Sequence, residues 1–98
     1  MATAQIRWLR ADESGRRQPP PGPRYSTVAR FEEQTEAQWM NEAWSLVLEL
    51  QGRPDASGQQ FATVRFLSDD GPTKWLQPSS KFDLYEGNRK VAEGIVLG

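Results

Sequence analysis

Apolar and polar residues alternate with a period of two along much of this 98-residue chain. In "AQIRWLR", Ala4, Ile6 and Trp8 alternate with Gln5 and Arg7, as a strand buried on one face requires. In "FATVRFL", Ala62, Val64 and Phe66 take one face and Thr63 and Arg65 the other, and "KFDLYE" sets Phe82 and Leu84 against Asp83 and Tyr85. Clusters of turn formers separate these runs: "GRPDASG" at 52–58, "SDDGP" at 68–72 and "QPSS" at 77–80. Short strands at this spacing predict an all-β barrel or sandwich.

The sharpest local signal is "LYEGNRKV". Gly87-Asn88 is a two-residue loop able to take the positive φ values of a tight hairpin turn, flanked by strand-like runs. Glu86 and Arg89 then face each other across its mouth, a pair worth about 0.2–1 kcal/mol.

One segment supports two readings. "TEAQWMNEAWSLVLELQG" reads as a helix, with Thr35 and Gln38 as a capping box and Trp39, Ala43, Leu46, Val47 and Leu50 on one face, giving an α+β fold with one helix at about 36–50. It also reads as a strand from about Ala43, with Trp44, Leu46, Leu48 and Leu50 on one side. The strand is preferred, since the neighbouring strands need pairing partners. Both readings place Trp39 and Trp44 in the core.

Four Trp, four Phe and two Tyr supply a core for one domain over residues 1–98. The chain has no cysteine, which excludes disulfides and thiolate chemistry, and no histidine, the side chain most often used as a base near neutral pH. It carries no glycine-rich phosphate loop, dinucleotide fingerprint or Ser-x-x-Lys. Asp69-Asp70-Gly71 lacks the spaced oxygen ligands of a calcium loop and reads as a solvated turn, and Glu32-Glu33 falls in an exposed acidic stretch. The expectation is a protein that is not an enzyme and that takes no metal, cofactor or nucleotide. No apolar run is long enough for a signal peptide or a membrane span, so the expected setting is cytoplasmic and away from the membrane.

The formal net charge of −1 conceals an uneven layout. Residues 1–30 hold six arginines against Asp12 and Glu13, residues 31–60 hold Arg53 against five Glu and Asp55, and the remainder balances. A basic edge beside an acidic edge fits a polar protein surface better than general phosphate binding, which favours a high pI; here the pI is about 5.4. Four arginines surround four prolines in "RADESGRRQPPPGPRY". Arg17, Pro20 and Pro23 have the spacing of an Arg-x-x-Pro-x-x-Pro ligand, yet strands bracket the stretch. Residues 14–24 are therefore read as a stiff connecting loop, in which proline lowers the entropy cost of ordering.

The C-terminal "FDLYEGNRKVAEGIVLG" resembles the closing hairpin of the third domain of bacterial elongation factor Tu, the β-barrel of translational GTPases. Glu86, Gly87, Arg89, Val91, Gly94 and Val96 stand at matching places, while Asn88 and Ala92 replace glycines. "AQIRWLRADESGRRQPPPGPRYSTVARF" is similar to that family's first strand, loop and second strand through Ile6, Gly15, Arg16, Tyr25 and Phe31. Together the two matches cover about half the chain. The resemblance implies a closed six-stranded antiparallel β-barrel, a strand near residue 44, and residues 14–24 as the loop joining the first two strands. It also implies tRNA contact at Arg16, Glu86 and Gly87, with Arg17 where the family has a His and Val28 where it has a Gln. With Arg24 and Arg89 from the basic residues, the candidate partner or tRNA contacts are Arg16, Arg17, Arg24, Glu86, Gly87 and Arg89. The sequence holds no counterpart of the GTPase domain. The expected role is a non-catalytic binding module for a protein partner, with RNA or tRNA binding as the alternative.

Overall fold

The period-two segments form six strands in a computed structural model that describes residues 2–13, 15, 20 and 22–98. These are β1 (Ala2–Trp8), β2 (Arg24–Phe31), β3 (Trp44–Gln51), β4 (Gln59–Phe66), β5 (Lys81–Glu86) and β6 (Arg89–Val96). They close into a barrel in the order β1-β4-β3-β2-β5-β6, with every neighbouring pair antiparallel. The seam is the pairing of the first strand with the last, Ala4 opposite Val96 and Trp8 opposite Ala92. Closure leaves no unpaired strand edge among the described residues, the feature that exposes open sheets to aggregation.

A barrel this small is filled by its own side chains. Ile6, Leu46, Leu48, Val64, Phe82 and Leu84 are fully buried, each stabilising the fold by about 1.5–3 kcal/mol. Phe31 sits among three other rings, with centroids 5.3 Å from Trp75, 5.6 Å from Phe82 and 5.7 Å from Phe66. Gly94 makes room for the Phe82 ring, because a Cβ there would stand 2.5 Å from Phe82 Cε2 and 3.0 Å from Ile6 Cδ1.

The ambiguous segment divides between its two readings. Thr35 and Gln38 do form a capping box, with Gln38 N–H donating to Thr35 Oγ1 at 3.1 Å and Thr35 N–H to Gln38 Oε1 at 2.9 Å. The helix it starts, α1 (Glu36–Asn41), stops far short of residue 50. From Trp44 the chain is extended, since β3 gains hydrogen-bonded ladders to β2 on one side and β4 on the other. Trp44 packs against the core, with its Nε1 buried and without a hydrogen-bond partner among the described residues. Trp39, expected in the core, is instead half-buried outside it. Its ring lies 4.8 Å from that of Tyr85, and its Nε1 donates to the Ala29 carbonyl at 3.1 Å.

Two long connections follow from the strand order. β1 and β2 lie on opposite sides of the barrel, as do β4 and β5, so the segments after Trp8 and after Phe66 must each carry the chain across one end. At the first end Leu9 is buried, and the edge of Trp8 meets Tyr25 at 5.4 Å. At the second, Trp75 and Leu76 close onto the core. The loop expected at 14–24 lies largely outside the described residues, and its last residue, Arg24, already belongs to β2.

Candidate functional site

Four of the six expected contact residues, Arg24, Glu86, Gly87 and Arg89, lie at the end of the barrel where β2 begins and β5 turns into β6. Arg16 and Arg17 lie outside the described residues. Gly87 has φ +63°, whereas Asn88 does not take a positive value, the pattern of a hairpin turn that needs the left-handed region only at its first central residue. Glu86 and Arg89 do face each other across the turn, with Arg89 Nη2 3.7 Å from Glu86 Oε1, and the Tyr25 hydroxyl donates to Glu86 Oε2. Arg24 is tied instead to β3, its Nε and Nη2 both 2.9 Å from Glu49 Oε1. Nearby, Arg10 Nε lies 3.3 Å from Asp12 and 3.6 Å from Glu13. Each of these guanidiniums meets a carboxylate of its own chain, which lowers the positive potential left for a phosphate.

A different surface carries a concavity. A groove of about 620 Å³ runs over the outer wall of β2, β5, β6 and β1. Strand register lays its floor out in two rows. The first crosses the strands as Arg30, Asp83, Glu93 and Arg7, each opposite the next. In the second, Lys81, Ile95 and Gln5 follow one another, with Phe61 next in register beyond the groove's margin, and Glu32 stands beside Lys81, whose carbonyl accepts its N–H at 3.0 Å.

A bulge builds the centre of the first row. Leu84 pairs with Ala92 but Tyr85 pairs with Lys90, so Val91 is an extra residue on β6 and is buried beside Ala92. Strict alternation would send Lys90 inward with Ala92 and Gly94; the extra residue turns it outward, beside Glu93. Its Nζ lies 2.8 Å from Glu93 Oε2 and 3.3 Å from Asp83 Oδ1. On the far side of Glu93, Arg7 Nη2 approaches Oε1 at 2.7 Å, while Arg7 Nη1 lies 3.5 Å from Glu13. The result is a ladder of alternating charge: Asp83, Lys90, Glu93, Arg7, Glu13.

The ladder shifts the ionisation of its members. Hydrogen bonds from Lys90 and Arg7 hold the Glu93 carboxyl below the usual carboxylate range. Partial burial by itself would lower Lys90, but its hydrogen bonds and attraction to Glu93 and Asp83 more than offset this and leave it raised. Arg7 is raised chiefly by its hydrogen bond to Glu93.

Two cations in the groove stand outside the ladder. Arg30 and Lys81 make no ion pair with any described residue, and the carboxylate opposite Arg30, Asp83, is engaged by Lys90. The Arg30 guanidinium lies over the Trp39 ring at 5.7 Å from its centroid. At the other side, Ile95 is half-buried and Phe61 is 50% exposed. Such a floor offers charge, hydrogen bonds and apolar contact. Among the described residues no group of three or more metal-ligating side chains comes together, and no helix is long and apolar enough to cross a membrane.

The sequence marked Gln5, Arg7 and Asp83 as polar faces of strands, but nothing in it aligned them. Only the barrel closure and the bulge at Val91 bring these positions together. Compared with known proteins, the chain matches no family model, no curated protein and no solved structure.

Proposed function

We propose that this chain is a non-catalytic binding module, a barrel like the third domain of elongation factor Tu, that takes a protein partner in the groove over β2, β5, β6 and β1. The observation that carries the reading is the groove itself: a concavity whose floor combines a self-neutralised charge ladder with uncommitted Arg30 and Lys81 and the apolar Ile95, with exposed Phe61 beyond its margin in the same row. Mixed floors of this kind suit protein surfaces, where polar groups set register and a few large side chains supply affinity. The reading includes a cytoplasmic setting and no cofactor.

Binding of tRNA or other RNA is the second reading, favoured by the arginines concentrated in residues 1–30. Their pairing with carboxylates at Arg7, Arg10 and Arg24 weighs against it.

The test is affinity capture with the wild-type protein and with an Ile95→Lys, Phe61→Glu variant, beside a titration of aminoacylated and bare tRNA at two salt concentrations. The proposal expects a protein captured by the wild type and lost by the variant, and no tight tRNA complex. Tight tRNA binding that weakens steeply with salt and is indifferent to the groove substitutions would replace it with the second reading.

A further inference from the structure

Arg30 differs from the other cations of the groove in being fixed in place without being neutralised. Trp39, packed at a tilt against Tyr85 and hydrogen-bonded to the Ala29 carbonyl, holds the guanidinium against its face. A cation–π contact orients the fork while leaving its N–H donors and its charge available in the plane. Its natural cross-strand partner, Asp83, lies 3.3 Å from Lys90 Nζ. One strand over, Lys81 sits diagonally from Arg30, within reach of the same incoming group, since diagonal neighbours on a sheet lie about 7–8 Å apart. Glu32, across from Lys81 and exposed, makes no ion pair with it. Within the row that holds Lys81, the next position is Ile95.

Resting on the reading of the groove as a protein-binding surface, we infer that its occupant is an acidic segment of the partner, with a carboxylate on the Arg30 fork beside Lys81 and a neighbouring large apolar side chain on Ile95. Charge complementarity selects this class. The ladder carboxylates are already satisfied and offer a basic segment little, whereas the groups of the groove outside the ladder are two cations, Arg30 and Lys81, against one carboxylate, Glu32. Strand spacing of about 4.8 Å places the apolar contact one step from Lys81, so carboxylate and apolar residue are one or two positions apart in an extended segment.

The probe is a fluorescein-labelled dodecapeptide of alternating Glu and Leu, with a Lys-Leu peptide and a Gln-Leu peptide as controls, followed by anisotropy and by amide chemical-shift mapping of the full chain. The expected result is binding of the Glu-Leu peptide at least 10-fold tighter than either control, with shifts confined to β2, β5 and β6. Arg30→Gln should weaken it at least 10-fold and Lys81→Gln several-fold, while Arg24→Gln, at the far end of β2, should leave it unchanged. Thermal melts of each variant confirm that it is folded. Equal binding of the Lys-Leu peptide, shifts elsewhere, no binding at millimolar peptide, or an RNA oligonucleotide displacing the peptide through Arg30 would each overturn the inference. If the peptides fail but the Ile95→Lys, Phe61→Glu variant still loses a captured protein, the inference falls and the binding-module reading stands.

Discussion

Gly94→Ala tests the packing that seals the barrel. A methyl at this position would lie 2.5 Å from Phe82 Cε2, nearer still to Cζ, and 3.0 Å from Ile6 Cδ1. Phe82 is 2% exposed and packed against Phe31 with ring centroids 5.6 Å apart, so its ring has little room to withdraw. Overpacking of this kind costs about 1–3 kcal/mol. The loss of glycine's unfolded-state freedom returns about 0.4–1 kcal/mol. The net expectation is a destabilisation of about 1–2 kcal/mol, a fall in melting temperature of about 5–10 °C for a domain of this size. Phe82→Leu alone should cost about 1–2 kcal/mol through lost burial. Combined, the two changes should relieve each other, because the shorter Leu vacates the volume that the Ala methyl needs. Urea denaturation of the four proteins gives the coupling, expected to be at least about 1 kcal/mol in favour of the double variant. Additive costs to within about 0.5 kcal/mol would show that Gly94 is not there to admit the Phe82 ring.

Two indoles provide a second comparison: Trp8 Nε1 donates to buried Gln60 at 2.9 Å, whereas Trp44 Nε1 is buried without a hydrogen-bond partner among the described residues. Trp8→Phe strands the Gln60 acceptor and should destabilise by at least about 1 kcal/mol more than Trp44→Phe, measured by urea titration; equal costs would refute this. The ladder gives a pH signature of known sign. Glu93 is depressed in the folded state by Lys90 and Arg7, so its contribution is present above the ordinary carboxylate value of 4.5 and is lost as pH falls through the folded value; Lys90 is raised, so its contribution is present below 10.5 and is lost as pH rises through its folded value. Glu93→Gln should therefore flatten the acid side of the stability profile and Lys90→Met the alkaline side, each by less than about 1 kcal/mol for groups this exposed. Gly15→Ala would drive a Cβ into the Leu9 carbonyl and to 2.8 Å from Leu9 Cβ, so it should lower the melting temperature by several degrees; an unchanged melt would mean that this connection does not pack on the barrel.

Alternation alone assigned the inward faces of β1, β4 and β5, because a strand's side chains have a period of two whatever it pairs with. Ile6, Val64, Phe82 and Leu84 are buried as that pattern requires, and the Glu86-Gly87-Asn88-Arg89 turn forms where its residues place it. Both of these signals are local. What lay beyond the sequence is the neighbour relation between distant strands. Trp39 is drawn out of the core because α1 ends before β3 can begin, and its ring meets Tyr85 only through the pairing of β2 with β5. Lys90 joins Asp83 and Glu93 because one extra residue, Val91, breaks the alternation, a displacement that no hydropathy period encodes. The groove is made of such relations: the outward faces of four strands acquire a common floor only when β1 closes on β6. Periodicity fixes which way a side chain points; register fixes what it meets, and register is set by contacts between residues far apart in the chain.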